Sequence, residues 1–410
     1  MTETSEAESA QATPPSFPMP RACPFRPPAQ YADLREREPA SRVVLPTGRV
    51  AWLVTRHDLA RQLLADQRVS VNRAHPGYPA LTAATAGMGA AQVKGFLTWM
   101  DPPVHTEHKK MIINEFTVAR VATMRPQVQR IVDEHIDEMI ASGSPADLVE
   151  TLSLAVPSLV ICDLLGVPYG DRAEFQHRAA TLDARSTTPQ AKMEAFKGLR
   201  GYIGKLVDEK SANPGDDLLS RLTVKYHQAG TYDHDLLAGL AVLLLTGGFE
   251  TTANMISLGV VALIEHPAER EKVMADPRCA ANVVDELLRF FSIAETSTSR
   301  VITEDIELGG VTLRAGDGVI ISSNAADHDP AVFADPDRLD AGREEAKRHL
   351  AFGYGIHQCL GQNLARLELQ VVYSTLFRRL PTLRLAVPFD ELPFKRDTNF
   401  YGVHEVPVAW

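Results

Sequence analysis

The feature that most limits how this chain can fold is one segment, Asp235 to Glu265, that is apolar on most of its faces. As a helix it would be about 45 Å long, enough to cross a whole domain. A helix that is apolar nearly all round has to be buried, so the rest of the chain must wrap it. The uninterrupted apolar run, Leu236 to Leu245, is about half of the ~20 residues a membrane span needs. It then meets Thr246-Gly247-Gly248-Phe249-Glu250-Thr251-Thr252, so a core helix is the better reading. A glycine in a helix interior costs about 1 kcal/mol relative to alanine, and a buried carboxylate costs more unless partnered. Locally unfavourable residues in a core helix point to function, while a kink or a close helix crossing is the structural alternative.

The chain of 410 residues is long enough to enclose a cofactor within its core. Val50 to Val54 reads as a strand and Arg56 to Leu64 as a helix with Leu59, Leu63 and Leu64 on one face. Ser70 to Gly95 is rich in Gly, Ala and Pro with little periodicity, and is a candidate binding loop. Helical patterns dominate from Arg125 to about Leu206. Short β-like runs follow at 306–308, 311–313 and 319–321, with Gly309-Gly310 as a hairpin turn. Helix returns from Gln362 to Arg379, and the C-terminal stretch is extended. The expected fold class is mainly α with a smaller β portion, one domain over residues 21–410. Residues 1–20, acidic and rich in Ser, Ala and Pro, read as a disordered leader.

The formal net charge of −10 gives no electrostatic reason to bind nucleic acid, and no membrane attachment is expected. The cysteines are Cys23, Cys162, Cys279 and Cys359, with no Cys-x-x-Cys pair. Such sparse usage fits a reducing cytoplasm. Cys359 stands apart because glycines crowd it: Phe352-Gly353-Tyr354-Gly355-Ile356-His357-Gln358-Cys359-Leu360-Gly361. Glycines let a backbone turn tightly and approach a flat ligand. The helix that follows would aim its first amides at the sulfur and favour a thiolate. A lone cysteine is more often a small core residue. A dinucleotide loop fails here, since Gln358 stands where its third glycine belongs and no strand precedes it.

The segment resembles the haem-binding loop of cytochrome P450 enzymes, Phe-Gly-x-Gly-x-His-x-Cys-x-Gly, at every specified position. The resemblance covers essentially the whole chain, and is greatest to soluble actinobacterial members that hydroxylate macrolides, secosteroids and herbicides. It implies the P450 fold, with the long helix over the haem, and a haem-thiolate monooxygenase with haem b (iron protoporphyrin IX) held by Cys359 as the metal ligand. Phe352, Gly353 and Gly361 would shape the cofactor loop. His357, His105 in Asp101-Pro102-Pro103-Val104-His105, Lys109 where the family usually has arginine, and Arg300 would contact the haem propionates. Glu286 and Arg289 of a Glu-x-x-Arg helix would form a structural triad with Arg343. Gly247-Gly248-Phe249-Glu250-Thr251 resembles the family's oxygen-binding segment, with Phe249 where close relatives commonly carry histidine. Gly247 and Gly248 would leave room for oxygen, while Glu250 and Thr251 would deliver protons. The pocket would involve the 70–95 loop, Leu243, Thr246, Ile293 and Ala294, implying a fairly large apolar substrate such as a macrolide, other polyketide or terpenoid. No flavin or nicotinamide motif is present, so the resemblance implies a separate ferredoxin and ferredoxin reductase, with Arg366 a candidate docking cation, and a monomer in the cytoplasm. The competing readings are a non-catalytic haem sensor and a peroxide-driven peroxygenase.

Overall fold

Asp233 opens the central helix. Its side chain accepts the Leu236 amide at 3.0 Å and pairs with Lys94 at 2.9 Å, so the helix starts one residue earlier than the apolar pattern suggests. Residues described in this computed structural model are 13–81, 94–183, 188–395 and 400–410; residues 82–93 of the candidate binding loop lie outside them. The elements used below are α1 (His57–Ala65), α2 (Val104–Ile112), α3 (Arg125–Ser142), α4 (Ala155–Leu165), α5 (Pro189–Ala212), the central helix α6 (His234–Glu265), α7 (Pro277–Phe291) and α8 (Gln362–Arg379). By length and composition α6 could cross a membrane, but 61% of its most apolar window is buried in protein. It packs against α4, α5 and α8, inside the largest apolar core.

Two close approaches set how α6 seats. An added Cβ on Gly248 would stand 3.0 Å from the Ile161 side chain of α4, and one on Gly259 would stand 2.1 Å from the Tyr373 hydroxyl of α8. That hydroxyl donates to the Met255 carbonyl at 2.5 Å, tying the central helix to the helix that follows Cys359.

The β portion is a five-stranded sheet of β1 (Ser41–Val44), β2 (Val50–Val54), β3 (Val69–Ser70), β4 (Ser299–Ile302) and β7 (Gly318–Ile321), in the order β1-β2-β7-β4-β3. Only β2 and β7 run parallel; the other pairs are antiparallel. The hairpin β5 (Ile306–Leu308) and β6 (Val311–Leu313) turns on Gly309 and Gly310 at φ +58° and +90°, the left-handed geometry the Gly-Gly pair predicts.

Residues 13–20 of the expected leader are docked on the fold. Residues 1–12 lie outside the described residues, but the Phe17 amide donates to the Val44 carbonyl and the Val44 amide to Pro15, both at 2.9 Å. Phe17 and Met19 are buried in a satellite core with Tyr31, Val43 and Leu53. Two large apolar side chains among prolines suffice to dock this stretch on the sheet edge. A composition average over residues 1–20 dilutes them.

Candidate active site

Gly353 and Gly355 sit at φ +69° and +74°, and an added Cβ on Gly355 would stand 2.4 Å from the Leu64 carbonyl of α1. Only glycine meets both the left-handed turn and the close approach. The loop closes on itself where the Cys359 amide donates to the Phe352 carbonyl at 2.9 Å. Helix α8 then begins with Gly361 as its cap, and the amides of Gly361 and Gln362 act on Cys359 to favour its thiolate. Cys359 is exposed although protein surrounds it. That surrounding mass pushes its thiol pKa up, against the two amides and the charges of Lys109 and Arg366, which act to lower it. An accessible cysteine among amide donors and cations has the surroundings that favour a thiolate once a metal takes the place of the thiol proton.

Nearby lie a buried guanidinium bonded to backbone carbonyls and two imidazole nitrogens without partners. Arg300 is buried, and its Nη1 donates to the Ser297 and Ser299 carbonyls at 3.2 and 2.9 Å; no carboxylate pairs with it among the described residues. Burial lowers its pKa to about 10, so it stays charged at neutral pH. His105 and His357 face each other with ring centroids 4.2 Å apart, and His105 Nδ1 and His357 Nε2 have no hydrogen-bond partner. Burial, helped by Lys109, lowers the His105 pKa to about 4; burial, helped by Arg300, lowers that of His357 to about 3. A buried guanidinium and two unsatisfied imidazole nitrogens are costly by themselves and suit a bound anion. Gly247 of α6 and Gly361 of the loop are bare of neighbours, an added Cβ meeting nothing within 4 Å. This set fits haem: a thiolate for the iron, donors for the propionates, and glycines where a flat ring would lie.

Lys109, whose charge helps lower the pKa values of His105 and His357, donates its Nζ to the carbonyls of Ile356 and Gln358, bracing the loop on either side of His357. A lysine carries a point charge on a flexible stem and settles on the nearest carbonyls. The adjacent glycines also divide. Gly247 faces open space, while Gly248 serves the contact of α6 with Ile161, which is the helix-crossing alternative.

On α6, the Thr251 hydroxyl donates to the Gly247 carbonyl at 2.8 Å. Asn254, one turn on, lies 3.5 Å from Glu250 Oε1; sequence reasoning missed Asn254, although the i, i+4 spacing was legible. Thr246 and Leu243 are half-buried on the same helix. Ile293 is buried in the main core, its carbonyl accepting the Tyr401 amide at 3.0 Å, and Ala294 beside it is half-buried.

The Glu-x-x-Arg residues and Arg343 meet fully inside the protein. Arg289 bonds Glu286 in a bidentate pair at 2.7 and 2.9 Å, and Arg343 Nε reaches Glu286 Oε1 at 3.1 Å. Arg366, the expected docking cation, is engaged by Asp285 at 2.7 Å. Asp285 and His349, which share this contact, were not read from the sequence.

A model of the cytochrome P450 family matches residues 42–383. This chain belongs to the cytochrome P450 family. It is 46% identical over 410 residues to pentalenic acid synthase of Streptomyces avermitilis, covering 100% of both chains. It is 45% identical over 397 residues to the vitamin D3 dihydroxylase of Streptomyces griseolus, covering 97% of each. Among solved structures, cytochrome P450 MoxA from Nonomuraea recticatena is similar at 52% identity with a TM-score of 0.92, over 96% of this chain and 98% of that one. This P450 is a haem monooxygenase: it uses dioxygen, an organic substrate and electrons from redox partners.

Proposed function

We propose that this P450 hydroxylates or epoxidises a fairly large apolar natural product, such as a macrolide, another polyketide or a terpenoid. Its cofactor in this reading is haem b. Electrons come from a small ferredoxin and its reductase, and the enzyme works as a monomeric, single-domain protein in the cytoplasm. The observation that carries it is the accessible, amide-capped Cys359 beside buried imidazole nitrogens that lack protein partners. The relatives above, named for pentalenic acid and vitamin D3, support the substrate class.

Haem supplies the activation of dioxygen, with the thiolate favouring O–O cleavage. The remaining work falls to the protein. Cys359 would ligate the iron; Arg300, His105, His357 and Lys109 would hold the propionates, and Lys109 also braces the loop that presents the sulfur. Phe352, Gly353 and Gly361 shape that loop. Glu250, with Asn254 beside it, relays protons toward Thr251. The Thr251 hydroxyl, fixed by its bond to the Gly247 carbonyl, keeps its lone pairs available to accept a hydrogen bond at the reacting oxygen. Leu243, Thr246, Ile293 and Ala294 contribute to the substrate pocket.

Two measurements test this. Reduced protein under carbon monoxide gives the red-shifted Soret band of thiolate ligation, and Cys359→Ala abolishes it; a band typical of histidine ligation overturns the ligand assignment. NADPH consumption with a surrogate ferredoxin pair, coupled to product from a natural-product library screened by spectral shift, tests the reaction. Turnover with peroxide alone would establish a peroxygenase, and ligand binding without turnover a sensor.

A further inference from the structure

Helix α7 sends two consecutive carboxylates to different targets. Glu286 closes the buried arginine pair, and Asp285, one residue earlier, faces the cysteine loop. Asp285 Oδ1 accepts from Arg366 Nε at 2.7 Å and from His349 Nε2 at 3.3 Å. The Ala351 amide donates to His349 Nδ1 at 3.1 Å. Nδ1 therefore carries no proton, and the neutral ring's single proton sits on Nε2, aimed at Asp285. Arg366 is further oriented by Gln362 Oε1 at 3.0 Å. Its guanidinium lies 4.7 Å over the Phe352 ring, and the His349 ring centroid is 5.6 Å from the same ring. Phe352 supplies the carbonyl that accepts the Cys359 amide. A contact chain thus runs from Asp285 through Arg366 and His349 to Phe352 and on to Cys359.

We propose that Asp285 is a positioning residue for the haem thiolate: by clamping Arg366 and His349 about Phe352, it fixes the Cys359 loop and holds one positive charge beside the sulfur. This rests on the reading of Cys359 as iron ligand. Burial raises the Asp285 pKa, and His349 and Arg366 more than reverse this, so the clamp is an anion. The Arg366 charge acts on Cys359, and a cation near a thiolate withdraws part of its donation to a bound metal.

The test is a cycle of Asp285→Ala, Arg366→Leu and the double variant, made as holoenzymes, with Asp285→Glu as the conservative control. Two readouts are followed: the midpoint potential of the haem iron, and the rate at which the reduced carbon monoxide complex loses its thiolate-type Soret band. Each single variant speeds loss of the band on the order of tenfold, and Arg366→Leu, which removes the cation, also makes the potential more negative. In band loss the double variant matches Arg366→Leu, because Asp285 acts through the guanidinium, and Asp285→Glu restores most of the parent's stability of the band. Should Asp285→Ala yield no holoenzyme, Asp285→Asn takes its place in the cycle with the same expectation. Additive band loss in the double variant, or an unchanged rate of band loss in Asp285→Ala, overturns the proposal. Failure of the parent protein itself to show the thiolate band defeats the haem-ligand reading instead, so the two failures are distinguishable.

Discussion

A guanidinium taken out of water without a carboxylate is among the costlier single choices a protein makes. Arg300 is such a case: buried, charged at neutral pH, and bonded only to backbone carbonyls among the described residues. If it serves the haem propionates, Arg300→Leu lowers haem retention on the order of tenfold, read as the ratio of Soret to protein absorbance after gel filtration. The apoprotein unfolds no earlier than the parent apoprotein, since the variant removes an uncompensated charge. A variant apoprotein that unfolds much earlier would make Arg300 a structural residue instead. Thr251 is a second case. Its hydroxyl already has the Gly247 carbonyl as acceptor, so folding does not need it to reach further. Thr251→Ala leaves the carbon monoxide spectrum unchanged and raises the NADPH consumed per product, since a positioned proton-transfer group speeds its step by about 10²–10⁴-fold. Tight coupling in the variant would assign proton delivery elsewhere.

Among the elements, α7 carries the most structure per residue. Glu286, Arg289 and Arg343 are buried together, Glu286 and Arg289 completely. Glu286→Gln leaves two guanidinium groups without their anion, and breaking a buried pair in this way costs about 3–5 kcal/mol. Urea unfolding of the holoenzyme measures it, and a loss under about 1 kcal/mol, the range of exposed pairs, would show the triad to be dispensable. Much at this scale was legible in the chain. The bounds of α8, Gln362–Arg379, match the apolar pattern, and the β5–β6 turn follows from Gly-Gly. The start of α6 was displaced because Asp233, outside the pattern, supplies the cap. Strand β1 was missed because four residues give too short an alternation to read, and its pairing partners include Pro15 to Phe17 of the supposed leader.

For the molecule as a whole, the buried ionisable groups make stability depend on pH. Glu368 of α8 is buried, its Oε2 has no hydrogen-bond partner, and burial lifts its pKa from an ordinary 4.5 to about 8. Between those values the folded state holds a proton that the unfolded chain has released. The stability it contributes is therefore fully present below about pH 4.5 and lost as pH rises through about 8. Glu368→Gln removes this dependence. Its Tm advantage over the parent grows from acidic to mildly alkaline buffer in scanning calorimetry, and an equal difference at both ends would show that Glu368 ionises normally in the fold.

The sequence by itself determined the chemistry. A buried helix broken by Gly-Gly-Phe-Glu-Thr, a Glu-x-x-Arg pair and a glycine-flanked cysteine are local patterns, and local backbone and charge requirements are legible along one chain. Tertiary structure alone decided which groups those patterns meet. The cation of Lys109 goes to two loop carbonyls, Gly248 to a helix crossing, and Arg366 to Asp285. These outcomes depend on which segments, far apart in sequence, come within hydrogen-bond reach, and a side chain takes the nearest partner the packing offers. The same reason hid Asp285 and His349: nothing in their neighbours along the chain marks them, and their role exists only where α7, the cysteine loop and α8 converge.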